Sequence, residues 1–261
     1  MASASLPADI RLMNLTAVVV GALALGALAV GAASWISRQP AFALRAIRLE
    51  GDTARNNAAT VRAHVMPRLA GSFFTLNLQS AREAFEAVPW VRHAVVRRVW
   101  PDRLVVRLEE HRPVAVWKGE EGDDRLVNDH GEVFEANLGD VDERLLPDFS
   151  GPSSAAAEIL AMYRRLKPVF QPLSLEPVSL ALSGRGSWRV ELDDGMAVEL
   201  GRGSEDEVLA RTARFVRTIT QVNGSSRRPI EYADLRHADG YAVRFKGGNA
   251  AQAAATTAGT H

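Results

Sequence analysis

The chain of 261 residues contains no cysteine. That excludes thiol nucleophiles, cysteine-based zinc sites and disulfide staples. It suits a polypeptide exported to an oxidising space, where stray thiols are a liability. Net charge is lacking too: 31 basic residues balance 31 acidic ones. A protein that grips nucleic acid through a global basic field is therefore disfavoured. Histidine is sparse. The six occur singly, at 64, 93, 111, 130, 237 and 261, with no helical ligand spacing. Acidic doublets at Glu109/Glu110, Glu120/Glu121, Asp123/Asp124 and Asp193/Asp194 fall at strand ends and turns, where solvation explains them. The short Gly-Arg-Gly-Ser run from Gly201 to Ser204 lacks the lysine and the spacing of a phosphate loop. No Gly-x-Ser-x-Gly elbow occurs. The residues predict no enzyme, no metal and no cofactor.

What is present begins with a long apolar run. Leu15 to Ile36 carries no charge, and a bilayer core of ~30 Å needs about 20 helical residues. Trp35 stands at its end, where an indole favours the interface. The run exceeds a signal-peptide core, so an uncleaved anchor over 15–36 is expected behind a tail of 1–14; a cleaved signal ending near Gly31–Ala33 is the alternative. Counting Arg38, Arg45 and Arg48 against Arg11 would put the far side in the cytoplasm, but long downstream domains translocate regardless of such a count. Pairs such as Ala22/Gly26 read as filler or as a close-packing helix face.

Beyond the span, Phe42 to Gly51 reads as a strand. Asn56 or Asn57 can cap a helix to about Leu69, with Val61, Val65 and Leu69 on one face. Asn77 can cap a second, with Leu78, Ala81, Phe85 and Val88 at helical spacing before Pro89. Two strands follow around a Trp100-Pro101-Asp102-Arg103 turn, with Leu104, Val106 and Leu108 alternating against Val105, Arg107 and Glu109. The order β-α-α-β-β lets two helices cover one face of a three-stranded sheet. Trp90, Trp100 and Trp117 are expected in the core or at the domain junction. A second, strand-rich unit starts near Val114. Hairpins turn at Asp129-His130-Gly131, at Asp193-Asp194-Gly195 and at Ala238-Asp239-Gly240. One helix carries Ile159, Tyr163, Leu166 and Phe170 on a stripe. Another, about Ser204 to Val222, turns Leu209, Thr212, Phe215, Val216 and Ile219 inward and Arg211, Arg214 and Arg217 outward. Residues 247–261 are small and biased, which predicts a disordered tail. The fold class expected is α+β.

The motifs, taken in order, resemble the FtsQ/DivIB family of bacterial cell-division proteins along nearly the whole chain. Pro89-Trp90-Val91, Arg97, Trp100-Pro101-Asp102, Leu104, Glu109, Pro113 and Trp117 resemble the family signature that ends its POTRA domain. The stretches "VNDHGEVF", "LPDFSGP", "SWRVELDDGMAVELGRG", "ARFV" and "YADLRHADGYAV" are similar to its later strands and helices. The resemblance implies a POTRA domain over 42–112 and a partner-binding β domain over 113–246. It implies a single-pass inner-membrane protein at the division septum, N-terminus inside, which binds the FtsB–FtsL pair and links early and late division proteins. It implies no small-molecule substrate. FtsB would add a strand to the last hairpin. The residues carried over are Arg236, His237, Asp239, Gly240, Tyr241, Val243 and Phe245, with Arg185 near a family arginine that pairs with an acidic partner residue. His237, Asp239 and Tyr241 depart from the family's common tyrosine, serine and small residue. A cell-wall enzyme would need a clustered acid/base or nucleophile set. An outer-membrane assembly protein would need tandem POTRA units and a barrel.

Overall fold

The computed structural model describes residues 8–37, 44, 46–52, 55, 58–69, 71–119, 122–226, 229–237 and 240–246. The expected caps at Asn56 or Asn57, the doublet Glu120/Glu121, Asp239 and the tail 247–261 lie outside them. Helix α1 (Ala8–Ser37) is apolar on all sides, and every described side chain from Met13 to Trp35 is exposed. A helix hydrophobic all round belongs in lipid or in a large core. At ~1.5 Å per residue, the 23 residues from Met13 to Trp35 measure about 35 Å, enough to cross. Thr16 and Ser34 donate their hydroxyls back to the carbonyls of Met13 and Gly31. Both hydroxyls are thereby satisfied within the helix.

The chain divides into two compact units between Glu110 and His111. In the first, β1 (Ala46–Gly51), α2 (Ala58–Val65), α3 (Leu78–Glu86), β2 (Val91–Val99) and β3 (Arg103–Glu110) follow in order. Pro67 has no N–H and crowds the preceding turn, so α2 stops at Val65 and tightens into a 3₁₀ turn over Met66–Arg68. Asn77 caps α3, accepting hydrogen bonds from the amides of Gln79 and Ser80. The sheet order is β1-β3-β2, with β1 parallel and β2 antiparallel to β3. Val61 and Val65 from α2 and Ala84 and Phe85 from α3 pack on Ala94, Val106 and Leu108. Trp90 is buried, with the Arg55 guanidinium 4.4 Å from its ring centre. Trp100 corrects its expected place: it is 75% exposed. Strand parity would put it with Ala94 and Val96, but β2 ends at Val99 and the turn carries the indole past the sheet.

The second unit is one mixed sheet of nine strands, ordered β12-β11-β10-β9-β8-β7-β4-β5-β6. The strands are β4 (Pro113–Trp117), β5 (Arg125–Asn128), β6 (Val133–Phe134), β7 (Asp148–Ser150), β8 (Pro177–Leu182), β9 (Trp188–Leu192), β10 (Ala197–Gly201), β11 (Ile230–Asp234) and β12 (Ala242–Phe245). Helix α4 (Ala156–Phe170) links the parallel pair β7 and β8; α5 (Glu205–Ser226) links the parallel pair β10 and β11. Both crossovers step in the same direction across the sheet from strands that run the same way. Right-handed crossovers then force both helices onto one face. A single core confirms it: Ile159, Leu166 and Phe170 of α4 and Val208, Phe215 and Ile219 of α5 share one cluster with Leu180, Val190 and Val198.

Candidate partner-binding edge

Strand β12 is the terminal strand of the nine-stranded sheet. Among the described residues, none pairs with its outer side. Its inner side pairs antiparallel with β11: Phe245 lies opposite Ile230, Arg244 opposite Tyr232, Val243 opposite Ala233 and Ala242 opposite Asp234. Because side chains alternate across a strand, Tyr241, Val243 and Phe245 turn to the helix-bearing face and pack on the core. Arg244 turns the other way. It pairs with Glu231 at 3.3 Å and lies 5.4 Å from the Tyr232 ring centre. A charge on an edge strand discourages indiscriminate pairing.

Both ends of β12 are tied down. At its start, the Tyr241 ring meets Phe215 of α5 edge-on, 5.1 Å between centres. Burial pushes the Tyr241 phenol above its ordinary range, and a hydrogen bond with Thr218 opposes that in part. At its end, the Lys246 amide donates to the Pro229 carbonyl at 2.9 Å and its ammonium to the Asp194 carbonyl at 2.8 Å. The strand is thus held without help from its outer neighbour position.

Arg236 does not reach into solvent unassisted. Its Nε donates to both Asp234 carboxylate oxygens, at 2.9 and 3.1 Å, its Nη2 to Oδ2 at 2.6 Å, and its own amide to Oδ1 at 3.0 Å. The guanidinium and these amide contacts hold the Asp234 carboxyl below the usual range, and the carboxylate raises the Arg236 pKa in turn. Gly201, at φ +79, closes β10 beneath this pair; a Cβ there would come within 3.1 Å of the Arg236 Cγ. Asp234 was not among the expected residues. No strand period marks the pair, because Arg236 lies two residues beyond the end of β11; the only sequence signal is an acid two residues before a base.

The structure gathers Arg236, His237, Gly240, Tyr241, Val243 and Phe245 on one hairpin, and Asp239 lies outside the described residues. His237 and Gly240 are exposed. A Cβ at Gly240 would meet nothing within 4 Å. Arg185 is exposed in the β8–β9 turn, where the Ser183 amide donates to the Ser187 carbonyl at 2.9 Å. Register places that turn at the same end of the sheet: Trp188 lies opposite Gly201, and Glu199 opposite Asp234. β9 is three strands from β12, about 14 Å at ~4.8 Å per strand. Arg185 and the hairpin therefore flank one end of the sheet without touching.

The remaining titratable clusters are local. His111 stacks on Phe134 at 4.0 Å and hydrogen-bonds Asn128, and His130 pairs with Asp129. Among the described residues, no three His, Asp or Glu side chains gather to hold a metal ion.

Comparison with known proteins adds the lineage. Residues 115–236 match the family described as "Cell division protein FtsQ/DivIB, C-terminal", and residues 42–111 match "POTRA domain, FtsQ-type". The chain is similar to the cell division protein FtsQ of Burkholderia pseudomallei, 47% identical over 92% of this chain and 94% of that protein. The FtsQ proteins of Thiomonas arsenitoxydans and Bordetella pertussis are 38% and 37% identical, over 93% and 90% of this chain and 89% and 91% of theirs.

Proposed function

The chain belongs to the FtsQ/DivIB family of cell division proteins, and from that premise we propose that it is a non-enzymatic scaffold of the division septum whose β domain holds the FtsB–FtsL pair. The one span-length apolar helix among the described residues fits a single-pass membrane protein. We place it in the inner membrane with the N-terminus in the cytoplasm and both folded units in the periplasm, so that the anchor links early cytoplasmic division proteins to late periplasmic ones. The POTRA unit, 42–112, serves as a second docking module. A strand of FtsB joins the sheet as a tenth strand beside β12, and Arg236 and Arg185 supply positive charge for acidic side chains of the partner.

The observation that carries this reading is the position of β12: terminal, internally braced and unpaired on its outer side among the described residues. An added strand of about four residues forms several main-chain hydrogen bonds, each worth roughly 0.5–1.5 kcal/mol net. Proline cannot donate to such a ladder. Val243→Pro should abolish capture of an FtsB segment in a pull-down while circular dichroism shows the domain folded. Ending the chain just before Tyr241 should do the same. A folded Val243→Pro protein that binds with unchanged affinity would sink the edge-strand site. Topology has its own check: a C-terminal alkaline phosphatase fusion should be active and a C-terminal green fluorescent protein fusion dark, with the reverse pattern contradicting the orientation.

A further inference from the structure

The turn between β2 and β3 presents what a soluble hairpin usually avoids. Trp100 is 75% exposed, and Val99 beside it is also exposed. Neither packs on the core of its unit. Arg97 and Arg103 flank them, both solvent-accessible, with their acidic neighbours Glu50 and Asp102 at 3.5 and 3.8 Å. Exposed pairs at such distances are weak and easily exchanged. An indole with adjacent apolar surface and guanidinium groups is the composition that settles at a membrane–water interface.

Register puts this turn at a particular end of the sheet. Ala46, the first residue of β1, lies opposite Arg103, the first residue of β3. Only residues 38–45 separate Ser37, the last residue of α1, from Ala46. Eight residues reach at most about 29 Å. The end of the sheet that carries Trp100 is therefore the end tethered to the membrane helix.

Charge agrees. The neutral total conceals a division: residues 38–112 hold 13 arginines against 7 acidic residues, net +6, whereas residues 113–246 hold 17 basic against 23 acidic, net −6. The basic part is the part next to the membrane span, and anionic lipid headgroups attract arginines that lie close to their surface.

We propose that the β2–β3 turn is a lipid-contacting tip, which seats Val99 and Trp100 in the headgroup layer of the anionic bilayer that holds α1, with Arg97 and Arg103 against its phosphates. This contact fixes the orientation of the POTRA sheet over the membrane. The inference rests on α1 being a membrane span.

The chain's lack of cysteine permits a direct test on the full-length protein. Val99→Cys and Ala87→Cys are each labelled with a fluorophore after reconstitution into nanodiscs of phosphatidylcholine with phosphatidylglycerol. Ala87 is exposed just ahead of β2, at the other end of a nine-residue strand, about 30 Å from the tip. A nitroxide carried on the lipid headgroup should quench the Val99 label several-fold more than the Ala87 label. Omitting phosphatidylglycerol, or combining Arg97→Ser with Arg103→Ser, should reduce that quenching several-fold. Equal quenching at both sites in nanodisc-bound protein overturns the tip proposal and leaves the span intact. Protection of the Val99 label only on adding a division protein overturns it in favour of a protein partner. A chain that does not co-purify with nanodiscs overturns the span and the tip together.

Discussion

The hairpins β2–β3 and β11–β12 are built alike and face opposite problems. Each joins two antiparallel strands at one side of a sheet whose other face is covered by helices. In β2–β3 the aromatic residue of the turn, Trp100, stands outside the fold. In β11–β12 the aromatic residue, Tyr241, folds back onto Phe215. The first hairpin therefore offers side chains to its surroundings. The second packs Tyr241, Val243 and Phe245 on the core and offers a strand edge. The difference teaches that a recognition surface need not be a patch of exposed apolar groups: at β12 the exposed feature is main chain, kept rigid by what lies behind it.

The largest effect expected is on that bracing. Phe215 is fully buried and supports Tyr241, so Phe215→Ala should lower stability by about 3–5 kcal/mol. Denaturant unfolding would measure this, and the variant should lose strand capture even under conditions where it stays folded. Retained capture would show that β12 needs no support from α5.

A smaller effect is expected from Asp234→Asn. The substitution removes the charge that holds Arg236, at a cost of about 1 kcal/mol, since the guanidinium is largely solvated. The sign with pH follows from the lowered Asp234 pKa. A depressed carboxyl contributes stability that is present above its unfolded value, near ~3.9. That contribution is lost as pH falls through the still lower folded value. The stability gap between native protein and variant should therefore be full at neutral pH and shrink as acid protonates the folded carboxylate. A gap unchanged in acid would assign the effect to shape and not to charge.

The smallest effect is expected at the other hairpin. Trp100→Ala removes a side chain that makes no core contact, and unfolding free energy should move by less than ~0.5 kcal/mol. A loss of several kcal/mol would mean that the indole supports the fold, and the contrast between the two hairpins would disappear.

Much of this was legible in the residues. The apolar span, the β-α-α-β-β order, the Asn77 cap and the hairpin turns at Asp129-His130-Gly131 and Asp193-Asp194-Gly195 follow from periodicity and turn chemistry. The single nine-stranded sheet does not. β7 is three residues long, too short to show a period, and β8 opens on Pro177, a residue that argues against a strand unless it stands first in it. Without those two strands the crossovers through α4 and α5 are invisible, and so is the reason both helices share a face. At the candidate site, the alternation of Tyr241, Val243 and Phe245 could be read. The clamp of Asp234 on Arg236 forms past the end of β11, where strand period no longer applies. Trp100 departs from the expected core position because β2 ends at Val99 and strand parity ends with it.

The central claim is that β12 accepts a partner strand through its backbone. Amide hydrogen exchange of the full-length protein, with and without an FtsB segment, tests it most directly. The account predicts new protection at amides within Ala242–Phe245 and none at Val99 or Trp100. Protection confined to the α5 surface that carries Arg211, Arg214 and Arg217, with β12 amides exchanging as before, would contradict it.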